Sequence, residues 1–241
     1  MRFFLSALVV VFLSGWSSAQ FGDISDLKLN KPEDKQDVKG TPAPEGAIVL
    51  FDGKKLDGWI GRNNNKAAEW TLLDGGVMEV KKGSGDILTE KKFDGNFKLH
   101  VEFRVPYLPK ESGQGRGNSG VYVQGRYEVQ VLDSYGLDSK DNDCGGIYGI
   151  AKPSVNACKA PTIWQSYDIE FHSPTCENGK KSELGRITVH HNGIKIHDEV
   201  KITKDVTTSG LASDPCTPGP ILLQDHGHAV QYRNIWLLPI K

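Results

Sequence analysis

The sequence predicts an all-β protein that folds as a two-sheet β-sandwich. Many short segments alternate apolar and polar residues with period two, the spacing of a strand with one buried face. Glycine accounts for 27 of the 241 residues, which favours many turns over long helices. No segment shows a convincing helical stripe. More than ten strands joined by turns therefore predict two antiparallel sheets packed face to face.

The predicted strands follow one another along most of the chain. Residues 97–105 give the clearest pattern, because apolar residues occupy every odd position and polar residues every even one. Asn192-Gly193 predicts a tight hairpin, since both turn positions need a positive φ. Trp59 and Trp70 are expected in the core. The full set of predicted strands is 47–51, 70–73, 77–80, 86–89, 97–105, 120–124, 127–132, 167–172, 186–191, 194–199, 221–224 and 230–239.

The chain divides into three predicted parts. Residues 1–19 have the pattern of a signal peptide, with Arg2, a short apolar run and small residues at the end. Residues 20–45 are polar and predict a flexible linker, and residues 46–241 form the sandwich domain. The apolar run is too short for a permanent membrane span. We therefore expect a secreted or periplasmic protein that is not inserted in the membrane after cleavage.

Charge and motifs exclude several functions. The formal net charge is −1, so no electrostatic field favours nucleic acid as a partner. The sequence lacks a G-x-S-x-G elbow, an H-E-x-x-H helix and a phosphate-binding loop, which argues against serine hydrolases, zinc peptidases and nucleotide-dependent enzymes.

The four cysteines predict disulfides. They are even in number and form no C-x-x-C pair, and export favours bridges over a metal site. Three pairings are open from sequence. We favour Cys144–Cys158, which closes a short loop, and Cys176–Cys216, which joins loops that flank a strand pair.

A polar strand face gives the first candidate site. In residues 127–133 the alternation places Glu128 and Gln130 side by side, about 7 Å apart along the strand. Asn118 lies in the preceding strand segment, and Asp133 ends the pattern as a turn residue, an ion ligand or a catalytic partner. Such a face suits a sugar, whose hydroxyls need directional donors and acceptors. A merely solvated sheet face is the alternative.

A second cluster lies near the end of the chain. Gln224, Asp225, His226 and His228 surround a glycine at a strand end, where a histidine can transfer protons near neutral pH. Two alternative interpretations of these residues are a metal site and a purely structural loop. Arg233 follows in the next strand. Tyr148 and Trp164 lie in loops where an exposed ring could stack on a sugar.

Seven segments resemble one family. They are residues 51–59, 117–122, 127–133, 146–149, 164–168, 191–193 and 219–228 with 233–235, and they occur in the family's order. The chain resembles the 3-keto-disaccharide hydrolase domain from about residue 46 to 240. The resemblance implies a concanavalin-like jelly-roll sandwich and cleavage of glycosides already oxidised to a ketone at C3.

The chemistry of such a substrate assigns roles to the candidates. A C3 ketone acidifies the C2 proton, so a base can eliminate the C1 leaving group before water adds back. Glu128 or His226 would be the base and the other the acid, while Asn118, Gln130, Gln224 and Arg233 would position hydroxyls and polarise the ketone. No cofactor is required, although a divalent cation near Asp133, Asp225 or His226 is conceivable. The alternatives are a two-carboxylate glycosidase, from Asp168 and Glu170 or Glu128 and Asp133, and a lectin-like module without catalysis.

Overall fold

A computed structural model describes residues 21–240. This part of the chain contains fifteen strands and only short 3₁₀ turns. The strands are β1 (Ile48–Phe51), β2 (Trp59–Gly61), β3 (Thr71–Leu73), β4 (Val77–Glu79), β5 (Ile87–Thr89), β6 (Asn96–Arg104), β7 (Ser119–Val123), β8 (Tyr127–Val131), β9 (Gln165–His172), β10 (Thr175–Glu177), β11 (Lys180–Glu183), β12 (Arg186–His191), β13 (Ile194–Lys201), β14 (Leu222–Leu223) and β15 (Gln231–Ile240). No helix among these residues is long and apolar enough to cross a membrane.

The strands form two main antiparallel sheets. The eight-stranded sheet has the order β13-β12-β9-β6-β15-β4-β3, with β1 also paired to β15. The five-stranded sheet has the order β2-β5-β14-β7-β8, and β10 and β11 form a separate hairpin. Some neighbouring strands, such as β6 and β15, are distant in sequence. Their pairing requires the crossover connections of a jelly-roll. The predicted all-β sandwich is confirmed.

The core lies between the two sheets. The odd-numbered residues of β6 are buried there with the apolar residues of β7, β8 and β9. Contacts cross from sheet to sheet: the Tyr232 hydroxyl donates to Ser119 Oγ at 2.7 Å, and the Tyr127 and Phe171 rings lie 5.9 Å apart. Each sheet therefore keeps one outer face free of the core. Trp59 and Trp70 are buried, as predicted.

Turn residues, strand length and composition explain which strands the sequence predicts and which it misses. Asn192 and Gly193 have φ of 53° and 80°, so the predicted hairpin between β12 and β13 is confirmed. The strand β2 has three residues, too few to show an alternation. The β10–β11 hairpin is mostly exposed and rich in lysine and glutamate, so it lacks the apolar period that predicts a strand.

The segment 21–45 differs from the predicted flexible linker. The Tyr135 hydroxyl donates to Asp34 Oδ2 at 2.7 Å and accepts from the Asn30 N–H at 2.7 Å. The Val38 N–H donates to the Trp164 carbonyl at 3.1 Å. The segment is thus held by hydrogen bonds to the domain, which its own hydrophobic pattern cannot reveal. The predicted signal peptide, residues 1–19, lies outside the described residues.

One of the two predicted disulfides is formed. Cys176 and Cys216 are bridged, as predicted, and join β10 to the loop 202–221. The other predicted bridge, Cys144–Cys158, is not formed. Both of these cysteines are free and buried, and Cys144 Sγ lies 3.1 Å from the Tyr167 hydroxyl.

Candidate active site

The outer face of the five-stranded sheet carries a row of polar side chains. In the register of β7 and β8, Tyr122 is opposite Glu128 and Gly120 is opposite Gln130. Since alternate residues share a face, these side chains point away from the core. We call these five side chains, each of which is at most 8% exposed, the polar face: Asn118, Tyr122, Glu128, Gln130 and Gln224.

Glu128 is the buried acid of the polar face. Its side chain lies over Gly120. A methyl group added to Gly120 would be only 2.4 Å from Glu128 Oε1. The residue is only 2% exposed. Burial raises its pKa to about 8, a hydrogen bond from Tyr122 opposes the shift, and the carboxylate of Asp86 adds to it. A carboxyl group with this pKa can exchange protons with a substrate near neutral pH.

A hydrogen-bonded wall closes one end of the polar face. Gln224 Nε2 donates to the Tyr122 hydroxyl at 3.0 Å, and the Tyr122 oxygen lies 3.2 Å from the Thr208 carbonyl. Arg62 donates to Asp86 at 2.8 Å and to the Ser209 carbonyl at 2.6 Å. The loop 202–221 is therefore fixed beside Glu128.

Tyr122, Arg62 and Asp86 are not among the site residues predicted from the sequence. Tyr122 shares the period-two pattern of Asn118 and Gly120, so the alternation alone could have found it. Arg62 and Asp86 have no such local signal, because they reach the site from β2 and β5 through the sheet order.

An amide cluster occupies the middle of the polar face. Gln114 Oε1 accepts hydrogen bonds from Asn118 Nδ2 and from Gln130 Nε2, each at 2.9 Å. Asn118 Oδ1 is buried and has no hydrogen-bond partner among the described residues. An acceptor without a donor is costly, so this oxygen is suited to a ligand hydroxyl.

The histidine loop borders the same face. His226 is exposed and His228 is half-buried, with their rings parallel and 6.0 Å apart. The Asn118 N–H donates to His228 Nδ1 at 3.2 Å, which fixes the loop at the start of β7. Burial lowers the pKa of His228, and the neighbouring His226 adds to the shift.

Asp225 anchors this loop. Its Oδ2 accepts from the backbone N–H groups of Gly83 and Gly85 at 2.8 and 3.0 Å, and its Oδ1 accepts from Gly227 at 2.9 Å. Both oxygens are therefore engaged with the backbone, which assigns Asp225 a positioning role.

Glu128 and the histidine loop share one side of the molecule. Glu128 is opposite Tyr122, and the histidine loop adjoins Asn118, four residues earlier on the same strand. Four residues of strand correspond to about 13 Å. An acid and a base that act on adjacent atoms of one sugar must come closer than this, so His226 has to reach toward Glu128 from the loop.

Tyr148 extends the polar face beyond β8. Its N–H donates to the Glu128 carbonyl at 3.1 Å, next to the bridge between Val129 and Ile147. Strand alternation then places the half-buried Tyr148 ring on the side of Glu128. The stacking role of Tyr148 stays a prediction.

Three predicted site residues lie elsewhere. Arg233 donates to Glu102 at 2.6 Å and lies 4.1 Å from the Trp164 ring, on the outer face of the eight-stranded sheet. Arg233 and Trp164 therefore face away from Glu128, with the core between them. The reason is β-strand alternation: Tyr232 points into the core, so Arg233 points outward. Asp133 pairs with Arg116 at 2.8 Å beyond the end of β8.

Asp168 and Glu170, one carboxylate pair of the alternative glycosidase, lie away from the polar face. Asp168 contacts His100 at 2.7 Å, and Glu170 contacts His172 at 3.0 Å, both on the outer face of the eight-stranded sheet. That face is opposite to the one that carries Glu128.

The fold and the polar face together define a class, the β-sandwich proteins with a sheet face suited to carbohydrate. The chain belongs to the 3-keto-alpha-glucoside-1,2-lyase-like domain family, whose pattern matches residues 46–238. This membership confirms the family resemblance of the sequence.

Individual relatives agree with this assignment. A 3-keto-disaccharide hydrolase of Bacteroides thetaiotaomicron is 27% identical over 234 residues, which cover 79% of this chain and 77% of that protein. The crystal structure of a candidate glycosyl hydrolase of Parabacteroides distasonis is 39% identical, with a TM-score of 0.75 over 83% of this chain and 86% of that one. A second candidate from that organism, at 23% identity and a TM-score of 0.57, covers 82% and 95% and supports the fold. These relatives support an enzyme that acts on glycosidic bonds.

Proposed function

We propose that this protein is an exported carbohydrate hydrolase that cleaves 3-keto-glycosides by elimination followed by hydration. Family membership and the named relatives support the substrate class. The observation that carries the chemistry is Glu128, a buried acid with a pKa of about 8 on a surface otherwise lined by amides and hydroxyls. A group of that kind is suited to removing a proton from carbon beside a ketone.

The reaction proceeds in two balanced steps. A base takes the C2 proton, the C1–O bond breaks, and a C1=C2 double bond forms while the leaving oxygen gains a proton. Water then adds its hydroxyl to C1 and its proton to C2. The net change is hydrolysis of the glycosidic bond, with no change in oxidation state.

Glu128 takes the role of base in this proposal. Its raised pKa gives the carboxylate a high proton affinity, and Tyr122 holds it in place. The exposed His226 on the loop is the proton donor for the leaving oxygen, since histidine is the side chain that enzymes use most often for proton transfer. Asn118, Gln130 and Gln224 receive the sugar hydroxyls, and Tyr148 supplies a ring for stacking.

We also propose that no oxygen-ligated divalent cation takes part. Asp225 uses both oxygens on backbone N–H groups, and Asp133 accepts from Arg116 and from the Tyr135 N–H. Mg²⁺ and Ca²⁺ need such oxygens as ligands. Adding either ion back after chelation should leave the rate unchanged, and a rate that depends on one of them would contradict this part of the proposal.

Two features support the proposed export: the predicted signal peptide and the Cys176–Cys216 bridge. Such bridges persist in oxidising compartments. Fractionation of cells that express the full chain tests the address: we expect the mature protein in the periplasm or the medium. Recovery of the uncleaved chain from the cytoplasm would contradict it.

Isotope labelling tests the chemistry directly. Ordinary and 3-keto-glucosides are incubated side by side with the protein in D₂O. Elimination and hydration of the keto substrate should place one deuterium at C2 of the released sugar during each turnover. Released product, incubated separately with the enzyme, controls for exchange after cleavage.

The other outcomes separate the alternatives. Cleavage of ordinary glucosides without deuterium at C2 would indicate a direct two-carboxylate glycosidase. Binding of either sugar without turnover would indicate a lectin-like module.

A further inference from the structure

A buried cluster of two thiols and one imidazole lies outside the polar face. Cys144 follows β8, Cys158 precedes β9, and His191 ends β12. Their donor atoms all lie within 4.8 Å of one another, and the residues are 3%, 9% and 0% exposed. A cation with bonds of about 2.3 Å to sulfur and 2.0 Å to nitrogen would space such donors by about 3.6 to 4 Å. Small side-chain movements are enough to reach that spacing.

The imidazole is oriented with a free nitrogen. Gln165 Oε1 accepts from the Lys159 N–H at 2.8 Å, which fixes this end of the amide as the oxygen. His191 Nε2 lies 3.0 Å from the same oxygen and must therefore carry the hydrogen. The lone pair then belongs to Nδ1, which is buried and has no hydrogen-bond partner among the described residues. A second-shell acceptor on one ring nitrogen is how proteins orient a histidine that binds metal through the other.

The free nitrogen lies on the side of Cys144. A methyl group on Gly145, the next residue, would approach His191 Nδ1 at 3.8 Å. The Tyr167 hydroxyl, 3.1 Å from Cys144 Sγ, donates to the Gln130 carbonyl at 2.6 Å, so its oxygen is available as a further ligand. A buried acceptor such as Nδ1 is costly unless something binds it. A disulfide between the two cysteines would leave it unsatisfied.

We propose that Cys144, Cys158 and His191 bind a thiophilic metal ion, with Zn²⁺ as the expected occupant. Two thiolates and an imidazole are a ligand set that selects Zn²⁺ over Mg²⁺ or Ca²⁺. The ion would join the eight-stranded sheet, through His191, to the loop that carries Tyr148 beside Glu128. Its role is structural, and the site does not depend on the activity proposed above.

Metal content and spectroscopy of the full chain test the proposal. The protein is purified without chelator, and zinc is measured per chain; we expect about one equivalent. Replacement of zinc by Co²⁺ should give a thiolate-to-metal charge-transfer band in the near ultraviolet. Cys158→Ser and His191→Ala should each weaken Co²⁺ binding at least about a hundredfold, and Gln165→Leu about ten- to a hundredfold.

His190→Ala is the matched control. His190 precedes His191 in the same strand but lies on the opposite, partly exposed face, so its removal should leave the Co²⁺ band unchanged. Should His191→Ala fail to fold, the wild-type spectrum and mass still decide the matter. An intact mass that shows all four cysteines oxidised, or free thiols without a Co²⁺ band, would overturn the proposal. Co²⁺ binding with wild-type affinity in Cys158→Ser would do the same.

Discussion

Glu128 is an acidic residue whose surroundings disfavour its charge. It is nearly fully buried, and burial is the largest cause of its raised pKa of about 8. Proteins rarely bury a carboxyl group without a use for it, and perturbed groups of this kind concentrate at active sites. The amide-rich neighbours Gln130 and Gln224 add the donors and acceptors that a sugar needs.

The first prediction concerns Glu128 itself. Glu128→Gln keeps the size of the side chain but removes the base, so kcat on a 3-keto-glucoside should fall at least about a hundredfold. Steady-state kinetics measures the loss. Glu170→Gln, on the outer face of the opposite sheet, is the control and should retain full activity. A Glu128→Gln enzyme with normal kcat would remove this residue from the mechanism.

The pH profile distinguishes the two roles of Glu128. A base must be ionised, so kcat/KM of the wild type should rise as the pH approaches about 8. A profile that falls over the same range would instead make Glu128 the acid and leave the base role to His226.

Gly120 provides a second test at a single residue. In Gly120→Ala the new methyl group would meet Glu128 Oε1 at 2.4 Å and Tyr122 Cε2 at 2.8 Å, so both side chains have to move. We expect a fall in kcat of about tenfold or more, because displacement of a catalytic group by about 1 Å is costly, and a lower melting temperature, because the buried Tyr122 ring must also shift. Comparison of kcat with the melting temperature checks this, and an unchanged kcat would show that the position of the carboxylate is not critical.

At the scale of elements, the loop 202–221 forms the wall beside Glu128 and is held at several places. Arg62 binds its backbone at Ser209, and the Cys176–Cys216 bridge ties it to β10. The bridge closes a segment of 40 residues. In the chain-entropy treatment, a cross-link over that length stabilises the folded protein relative to the unfolded chain by about 4 kcal/mol. The buried Arg126 holds the same loop, because it donates to Ser213 Oγ at 2.8 Å and to the Asp214 and Thr217 carbonyls at 2.7 Å each.

The next prediction follows from that cross-link. The double variant Cys176→Ser with Cys216→Ser should raise KM several-fold, with a smaller change in kcat, because Glu128 remains on its rigid strand. The loop should also become more sensitive to limited proteolysis. A reducing agent should shift the wild type toward the variant and leave the variant unaffected; equal KM values would show that the wall does not contact substrate.

For the whole molecule, the two outer sheet faces shift the pKa of a buried glutamate in opposite directions. Burial opposes the ionisation of Glu102 on the eight-stranded sheet, but hydrogen bonds from His100, Asn234 and Arg233 outweigh it and lower its pKa to about 2. Glu128 on the five-stranded sheet has its pKa raised to about 8. Folding therefore favours a charged acid on one side of the protein and a neutral acid on the other.

This difference predicts the pH dependence of stability. The contribution of Glu102 is full above its ordinary pKa of 4.5 and is lost as the pH falls toward about 2. The contribution of Glu128 is full below 4.5 and is lost as the pH rises toward about 8. From these two groups, the free energy of unfolding should be highest near pH 4.5 and change on each side by a few kcal/mol at most, on the order of 3.

Denaturation with urea across this pH range measures both limbs. Glu128→Gln should flatten the limb above pH 4.5, whereas Glu102→Gln should lower stability at pH 7 and flatten the acid limb. A Glu128→Gln variant that keeps the wild-type slope between pH 5 and 8 would contradict the burial of a neutral acid.

The sequence by itself determined the all-β class, the hairpin at Asn192-Gly193, most strand positions and the candidate role of Glu128. These features follow from short-range rules: side-chain period, turn residues and alternation within one strand. Only the tertiary structure decided which side chains from distant parts of the chain come together. It separated Arg233 and Trp164 from Glu128, brought Arg62 and Asp86 to the site, and placed Cys144 and Cys158 beside His191. The physical reason is that strands distant in sequence become neighbours only through the order of the sheets, and no local pattern encodes that order.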